Sequence, residues 1–169
     1  MPETLTFLLG GARSGKSAHA ERLITQIPAP WTYVATAQAY DDEMRERISI
    51  HVGRRGDGWH TIDAPLDLVG ALAGLPDGAP VLVDCLTLWL TNHMLAEHDV
   101  AAECAALVET LSRPRGPWFV VSNEVGLGIV PDNALARRFR DDAGRLNQKV
   151  AAVADEVLFV VAGLPMKVK

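Results

Sequence analysis

The chain has 169 residues, 49% of them apolar, with 16 basic against 21 acidic side chains and a net charge of −5. This is enough chain for one domain with its own core, expected over residues 1–169. The acidic balance argues against nucleic acid as the partner, because phosphate neutralisation needs clustered Lys and Arg. No apolar run reaches the ~18 residues of a membrane span, and no secretory leader is expected.

In chain order, Thr4-Leu5-Thr6-Phe7-Leu8-Leu9 reads as a strand. It runs into Gly10-Gly11-Ala12-Arg13-Ser14-Gly15-Lys16-Ser17, a complete G-x-x-x-x-G-K-[ST] phosphate-binding loop. In this pattern backbone N–H groups turn around phosphate oxygens, Lys16 reaches the outer phosphates and the Ser17 hydroxyl sits on Mg²⁺. Ala18 to Gln26 reads as the helix leading out, its N-terminus adding positive potential. Trp31–Ala35, Val81–Val83, Trp118–Ser122 and Val157–Val161 are further apolar strands. Their unbroken runs fit strands buried on both faces of a parallel sheet. Val100, Cys104, Leu107, Val108 and Leu111 form one helical stripe. Leu135, Phe139, Leu146, Val150 and Val153 form another, with Asp132 as its expected cap. The alternation predicts an α/β fold with helices on both faces, whose ligands bind beyond the carboxyl ends of the strands. Cys85 and Cys104 stand far apart in apolar surroundings, as buried free thiols in a reducing cytoplasm.

Asp84 closes a strand where a P-loop enzyme needs an acid for the Mg²⁺ shell, although an ordinary helix-capping aspartate has the same position. Thr87 is a candidate cap for the helix that follows. Asp41-Asp42-Glu43 opens a helix in which Asp41 and Arg45, and Glu43 and Arg47, are spaced as i,i+4 pairs. His51 shares a face with Tyr40, Met44, Arg47 and Ile48. Spacing alone favours a half-buried histidine there; the sharper alternative is a nucleophile whose neutral imidazole attacks phosphorus, with Arg47 steadying phosphate charge. His19, His60, His93 and His98 show no spacing that suggests a metal site. Arg137, Arg138, Arg140 and Arg145 read as a solvated helix face. Asn123-Glu124-Val125-Gly126-Leu127-Gly128-Ile129-Val130-Pro131 is a tight loop in which Glu124 either orients a ligand or caps a helix. Trp59, Trp89 and this loop are candidate walls of a further pocket.

The segments GGARSGKS (10–17), ATAQAYDDEMRERISIH (35–51), NEVGLGIVP (123–131) and RFRDDAGRLNQKVAAVADEV (138–157) together resemble the bifunctional adenosylcobinamide kinase/adenosylcobinamide-phosphate guanylyltransferase family. The resemblance covers essentially the whole chain. It implies a RecA-like P-loop fold, a homo-oligomer (a trimer) and a place in cobalamin biosynthesis. It implies phosphorylation of adenosylcobinamide by ATP or GTP. GMP is then transferred from GTP through a GMP–histidine intermediate, with release of pyrophosphate. The matching histidine is His51. The nucleotide contacts it implies fall on 10–17, on Ala35, Thr36 and Ala37, on the stretch with Arg47 and Ile48 that ends at His51, and on Asp63 and Asp84. Relatives more often carry Glu where Asp63 stands. Two narrower readings remain beside it: a P-loop small-molecule kinase without guanylyl transfer, and a non-enzymatic nucleotide-dependent interaction module.

Overall fold

A computed structural model describes residues 2–169. Strands β1 (Thr4–Gly10), β2 (Trp31–Ala35), β3 (Trp59–Asp63), β4 (Val81–Asp84), β5 (Pro117–Asn123), β6 (Glu156–Val161) and β7 (Leu164–Lys167) form one sheet in the order β3-β2-β4-β5-β1-β6-β7. All neighbours are parallel except β6 and β7. Parallel pairing requires crossovers, and helices α1 (Lys16–Ile24), α2 (Asp42–Arg54), α3 (Leu68–Ala73), α4 (Leu86–Leu95), α5 (Val100–Leu111) and α6 (Ala134–Val153) lie within them.

Strand alternation divides the core between the two sheet faces. Leu5 and Phe7 point into a cluster with Leu68, Leu86, Trp89, Leu107, Leu146 and Val150, so α3 to α6 cover that face. Leu8 points the other way, with Tyr33, Leu82, Phe119 and Leu158, and is covered by Ala20 and Ile24 of α1. The α/β fold expected from the strand–helix alternation is therefore present. Helix α2 is the exception to the packing, since none of its residues is buried.

Two strands lie outside the apolar pattern. β3 is an edge strand in which no residue is buried, with His60 and Asp63 exposed and Thr61 half-buried, and β7 is exposed along its length and contains Pro165. Edge strands lack the two-sided burial that makes a strand conspicuous in sequence. Several local expectations change as well. The cap of α6 is Asn133, whose side chain accepts from the Ala136 N–H, rather than Asp132. Leu135 of the expected stripe is 57% exposed. Asp41 caps α2 by accepting from the Met44 N–H, so Arg45 pairs with Asp42 instead; Arg47 pairs with Glu43 as expected. Thr87 lies inside α4 and accepts from the Asn123 N–H, so it joins α4 to the end of β5 rather than capping the helix.

Candidate active site at the carboxyl rim of the sheet

Sheet register sets the site. Gly10 lies opposite Asn123 and Val160, and Ala35 lies opposite both Asp63 and Asp84. The phosphate loop, the end of β2, Asp84 and the start of the 123–131 loop therefore share one rim.

The loop between β1 and α1 is folded back on itself. The Gly11 carbonyl accepts from the Ser14 N–H at 3.2 Å and from Lys16 Nζ at 3.0 Å. Gly15, at φ 93°, turns the chain into α1. A side chain there would be strained by that backbone angle and would meet Gly163 Cα at 3.1 Å. Gly163 also donates its N–H to the Ser14 carbonyl at 2.7 Å, so the β6–β7 turn braces the loop. The Ser14 hydroxyl oxygen is buried without a hydrogen-bond partner among the described residues. A buried polar atom of this kind is costly unless a ligand satisfies it, and here it sits in a loop built to hold phosphate oxygens.

Lys16 is 8% exposed. Burial lowers the pKa of its ammonium, and the neighbouring Cys85 and Asp84 offset part of that fall. Asp84 is held by the Tyr33 hydroxyl, which donates to Oδ2 at 2.8 Å. Burial first, and then the Asp84 charge, push the Tyr33 phenol well up, so it stays protonated and remains a donor. Asp84 Oδ1 accepts from the Ser17 hydroxyl at 3.4 Å. That contact is long for an O–H···O bond, and a hydroxyl and a carboxylate oxygen facing each other are the hard oxygen ligands that Mg²⁺ takes beside substrate phosphates. The donor set is thus suited to Mg²⁺.

A cleft of about 260 Å³ is lined by Lys16, Ser17, Ala37, His51 and Asp84, with Tyr33 and Asn123 among its other walls. His51 is fully on the exposed side of α2, not half-buried as spacing alone favours, and it faces this cleft. The field around it is mixed. Burial, and then Asp84, raise the pKa of Glu21, while Arg55, His51 and Arg54 pull it down.

Other expected positions sit differently. Thr36 is fully buried and spends its hydroxyl on the Cys85 backbone, donating to the carbonyl at 2.6 Å and accepting from the N–H at 2.9 Å. It fixes the end of β2 against β4 beneath the cleft, beside Ala35. Asp63 is exposed at the end of the edge strand. Arg47 is exposed and paired with Glu43 at 2.8 Å. Asp63, Arg47 and Ile48 are not among the residues lining the cleft. Glu124 spends Oε1 on the Gly126 N–H at 2.6 Å, and Arg140 donates to the Gly126 and Gly128 carbonyls, so both shape the 123–131 loop. Trp89 is 1% exposed and belongs to the core, which removes it as a pocket wall.

Asn123 lies at the loop corner the sequence places on this rim, whereas Tyr33, Arg55 and Glu21 carry no signal of their own in the sequence. The Arg55 guanidinium lies 3.5 Å from the Tyr33 ring centroid, and its Nε and Nη1 are buried without partners among the described residues. Tyr33 reads as one more apolar strand residue, and Arg55 as one more charge after α2. Only the fold stacks them beside Asp84.

A family profile described as cobinamide kinase / cobinamide phosphate guanyltransferase matches residues 6–168. The chain is 48% identical over 165 residues to the bifunctional adenosylcobalamin biosynthesis protein CobP of Pseudomonas aeruginosa, covering 96% of this chain and 95% of that one. It is 42% identical to the protein CobU of the same description from Salmonella typhimurium, covering 98% and 99%. Among solved structures it is similar to a prototypical ATPase from the type III secretion system of pathogenic bacteria (TM-score 0.55, 10% identity, 98% of this chain and 57% of that one). It is also similar to the flagellar accessory protein FlaH of Methanocaldococcus jannaschii (TM-score 0.53, 14% identity, 99% and 78%). These two likenesses bear on the fold, which is that of P-loop, RecA-like ATPases.

Proposed function

The chain belongs to the cobinamide kinase / cobinamide phosphate guanyltransferase family, and from that premise we propose that one cradle serves both of its transfers. The observation that carries the proposal is that His51 lines the same cleft as Lys16, Ser17 and Asp84.

In the first transfer, residues 10–17 hold the polyphosphate of ATP or GTP, and the adenosylcobinamide hydroxyl oxygen bonds to the γ-phosphorus as its bond to the β,γ-bridging oxygen breaks, so that ADP or GDP leaves and the hydroxyl proton is released to water. Phosphoryl transfer is governed by positioning and charge stabilisation, which Lys16 and the loop amides supply. In the second, a ring nitrogen of His51 attacks the α-phosphorus of GTP. The bond to the β-phosphate oxygen breaks and pyrophosphate leaves against Lys16. The phosphate oxygen of adenosylcobinamide phosphate then attacks the same phosphorus. The P–N bond breaks, and neutral imidazole is regenerated with adenosylcobinamide-GDP.

Ser17 and Asp84 would hold Mg²⁺, which neutralises phosphate charge when bound. Tyr33 keeps Asp84 oriented. Arg55, with two donors unspent beside this group, adds positive charge toward the nucleotide. In this reading Ala35, Thr36 and Ala37 shape the floor under the nucleotide. Asp63, Arg47 and Ile48 contact it only if α2 and the rim close further around it.

We also take the enzyme to be a cytoplasmic homo-oligomer, a trimer. Support for association between copies comes from Leu127, Ile129 and Val130, which are 81%, 97% and 63% exposed on one loop, and from an apolar groove lined by Met94, Leu95, Leu135 and Phe139.

Incubation with GTP labelled with ³²P at the α-phosphorus tests the covalent step. Acid-labile, alkali-stable label is expected on wild-type enzyme and absent from His51→Ala, which keeps most of its phosphorylation activity. Label retained in His51→Ala, or none on wild type, refutes the intermediate. Equal loss of both activities in His51→Ala reduces His51 to a nucleotide contact.

A further inference from the structure

We propose that His93, His98 and Glu103 form a binding site for a divalent ion of the zinc class at the α4–α5 corner, separate from the nucleotide cleft. One ligand atom from each of the three lies within 4.8 Å of the other two.

Local structure makes the cluster. Helix α4 ends in a Schellman turn: the Glu97 N–H donates to the Met94 carbonyl, and the His98 N–H to the His93 carbonyl, both at 3.1 Å. The turn needs a left-handed residue, which glycine usually provides. Here Glu97 takes it, at φ 56°. The same motif brings its first and last side chains together, usually as an apolar contact. In this chain those two side chains are imidazoles, with His93 Nδ1 3.0 Å from His98 Nδ1. Asp99 then caps α5 by accepting from the Ala102 N–H, and the first turn of α5 carries Glu103.

His93 is 3% exposed, and its Nε2 lies 3.0 Å from the Leu66 carbonyl oxygen. A carbonyl only accepts, so Nε2 carries the proton and Nδ1 presents its lone pair to His98. This is the arrangement in which a metal-binding histidine is oriented by its other ring nitrogen. Trp89 packs against the same ring at 4.6 Å and holds it in place. Two imidazoles and a carboxylate match a three-ligand zinc site with one open position. A cavity of about 210 Å³, lined by Leu66, Asp67, Val69 and the three ligands, faces that position.

Ligand atoms 2.0–2.1 Å from a tetrahedral ion are about 3.3 Å apart. The two histidines already approach that spacing. The exposed His98 and the half-buried Glu103 close the remainder by side-chain rotation. His98 frees its Nδ1 lone pair in the tautomer that carries the ring proton on Nε2. Asn92, beside His93, donates to the carbonyls of Thr36 and Pro65. A bound ion would therefore stiffen the helix that anchors the floor of the nucleotide cleft.

Titration calorimetry of the chelator-treated, nucleotide-free enzyme with Zn²⁺ alone tests the site. Wild type is expected to show a binding event that weakens about tenfold or more in both His98→Ala and Glu103→Gln and persists in Asp84→Asn. Zn²⁺ should also shift the ring resonances of the buried His93 in the NMR spectrum of wild type. Wild-type and His98→Ala isotherms that coincide, whether both bind or neither does, overturn the site. So does an event that disappears in Asp84→Asn, which would assign the ion to the nucleotide cleft. His98 is exposed on a turn, so His98→Ala should fold as wild type does, and the His93 resonances give a second readout if it does not.

Discussion

Replacing Lys16 by Ala is the most direct test of a cradle shared by two reactions. Lys16 is 8% exposed, and its ammonium donates to the Gly11 carbonyl at 3.0 Å. Losing that hydrogen bond costs about 1 kcal/mol, and losing a buried charge returns part of it, so the fold should survive. Catalysis has no such compensation. The charge is preorganised in a partly dry cleft, where one such donor contributes roughly 2.7–4 kcal/mol to a charged transition state. Both transfers are therefore expected to fall by about 10² to 10³ in kcat. The kinase step is read from labelled phosphate transferred to the corrinoid, and the guanylyl step from pyrophosphate release with pre-phosphorylated substrate. A thermal melt close to that of wild type checks the fold. If either reaction keeps near wild-type rate while the other collapses, the two chemistries use different sites and the reasoning fails.

Two further outcomes follow from the geometry. Burial lowers the Lys16 pKa, so the folded protein holds this proton less tightly than the unfolded chain. Its charge costs stability below the folded pKa, and that cost fades as pH rises through the folded value toward the unfolded one. The cradle loses its charge over the same interval, so kcat/KM should fall on the alkaline side before an ordinary lysine would deprotonate. An identical alkaline fall in the residual activity of Lys16→Arg would assign the titration to another group. Trp89→Ala should cost roughly 3–5 kcal/mol in urea unfolding, because it opens a cavity in the core and removes the bond from Nε1 to the Leu66 carbonyl. A loss under roughly 1 kcal/mol accompanied by a higher KM for the corrinoid would return Trp89 to a binding role.

What the residues alone determined is local or periodic. The G-x-x-x-x-G-K-[ST] loop is contiguous, so its chemistry survives without a fold. Strands β1, β2, β4, β5 and β6 are buried on both faces and announce themselves as apolar runs, which made the parallel sheet legible. The stripe from Val100 to Leu111 follows the helical period for the same reason. The resemblance to the cobinamide enzymes also drew on contiguous segments, and the family match bears it out.

Everything that depends on residues distant in sequence waited for the tertiary structure. β3 and β7 are edge strands whose exposed faces carry no pattern. Asp84 meets Ser17 across 67 positions and Tyr33 across 51, and Arg55 is laid on Tyr33 only by the crossover through α2. His93 and His98 looked unrelated to any ligand set, since their meeting depends on a left-handed turn at Glu97 that residue identity disfavours. Sequence fixes which groups are present and their local periods; their approach in space is decided by chain closure, through parallel crossovers and turns whose backbone angles are enforced by packing rather than by the residues that adopt them.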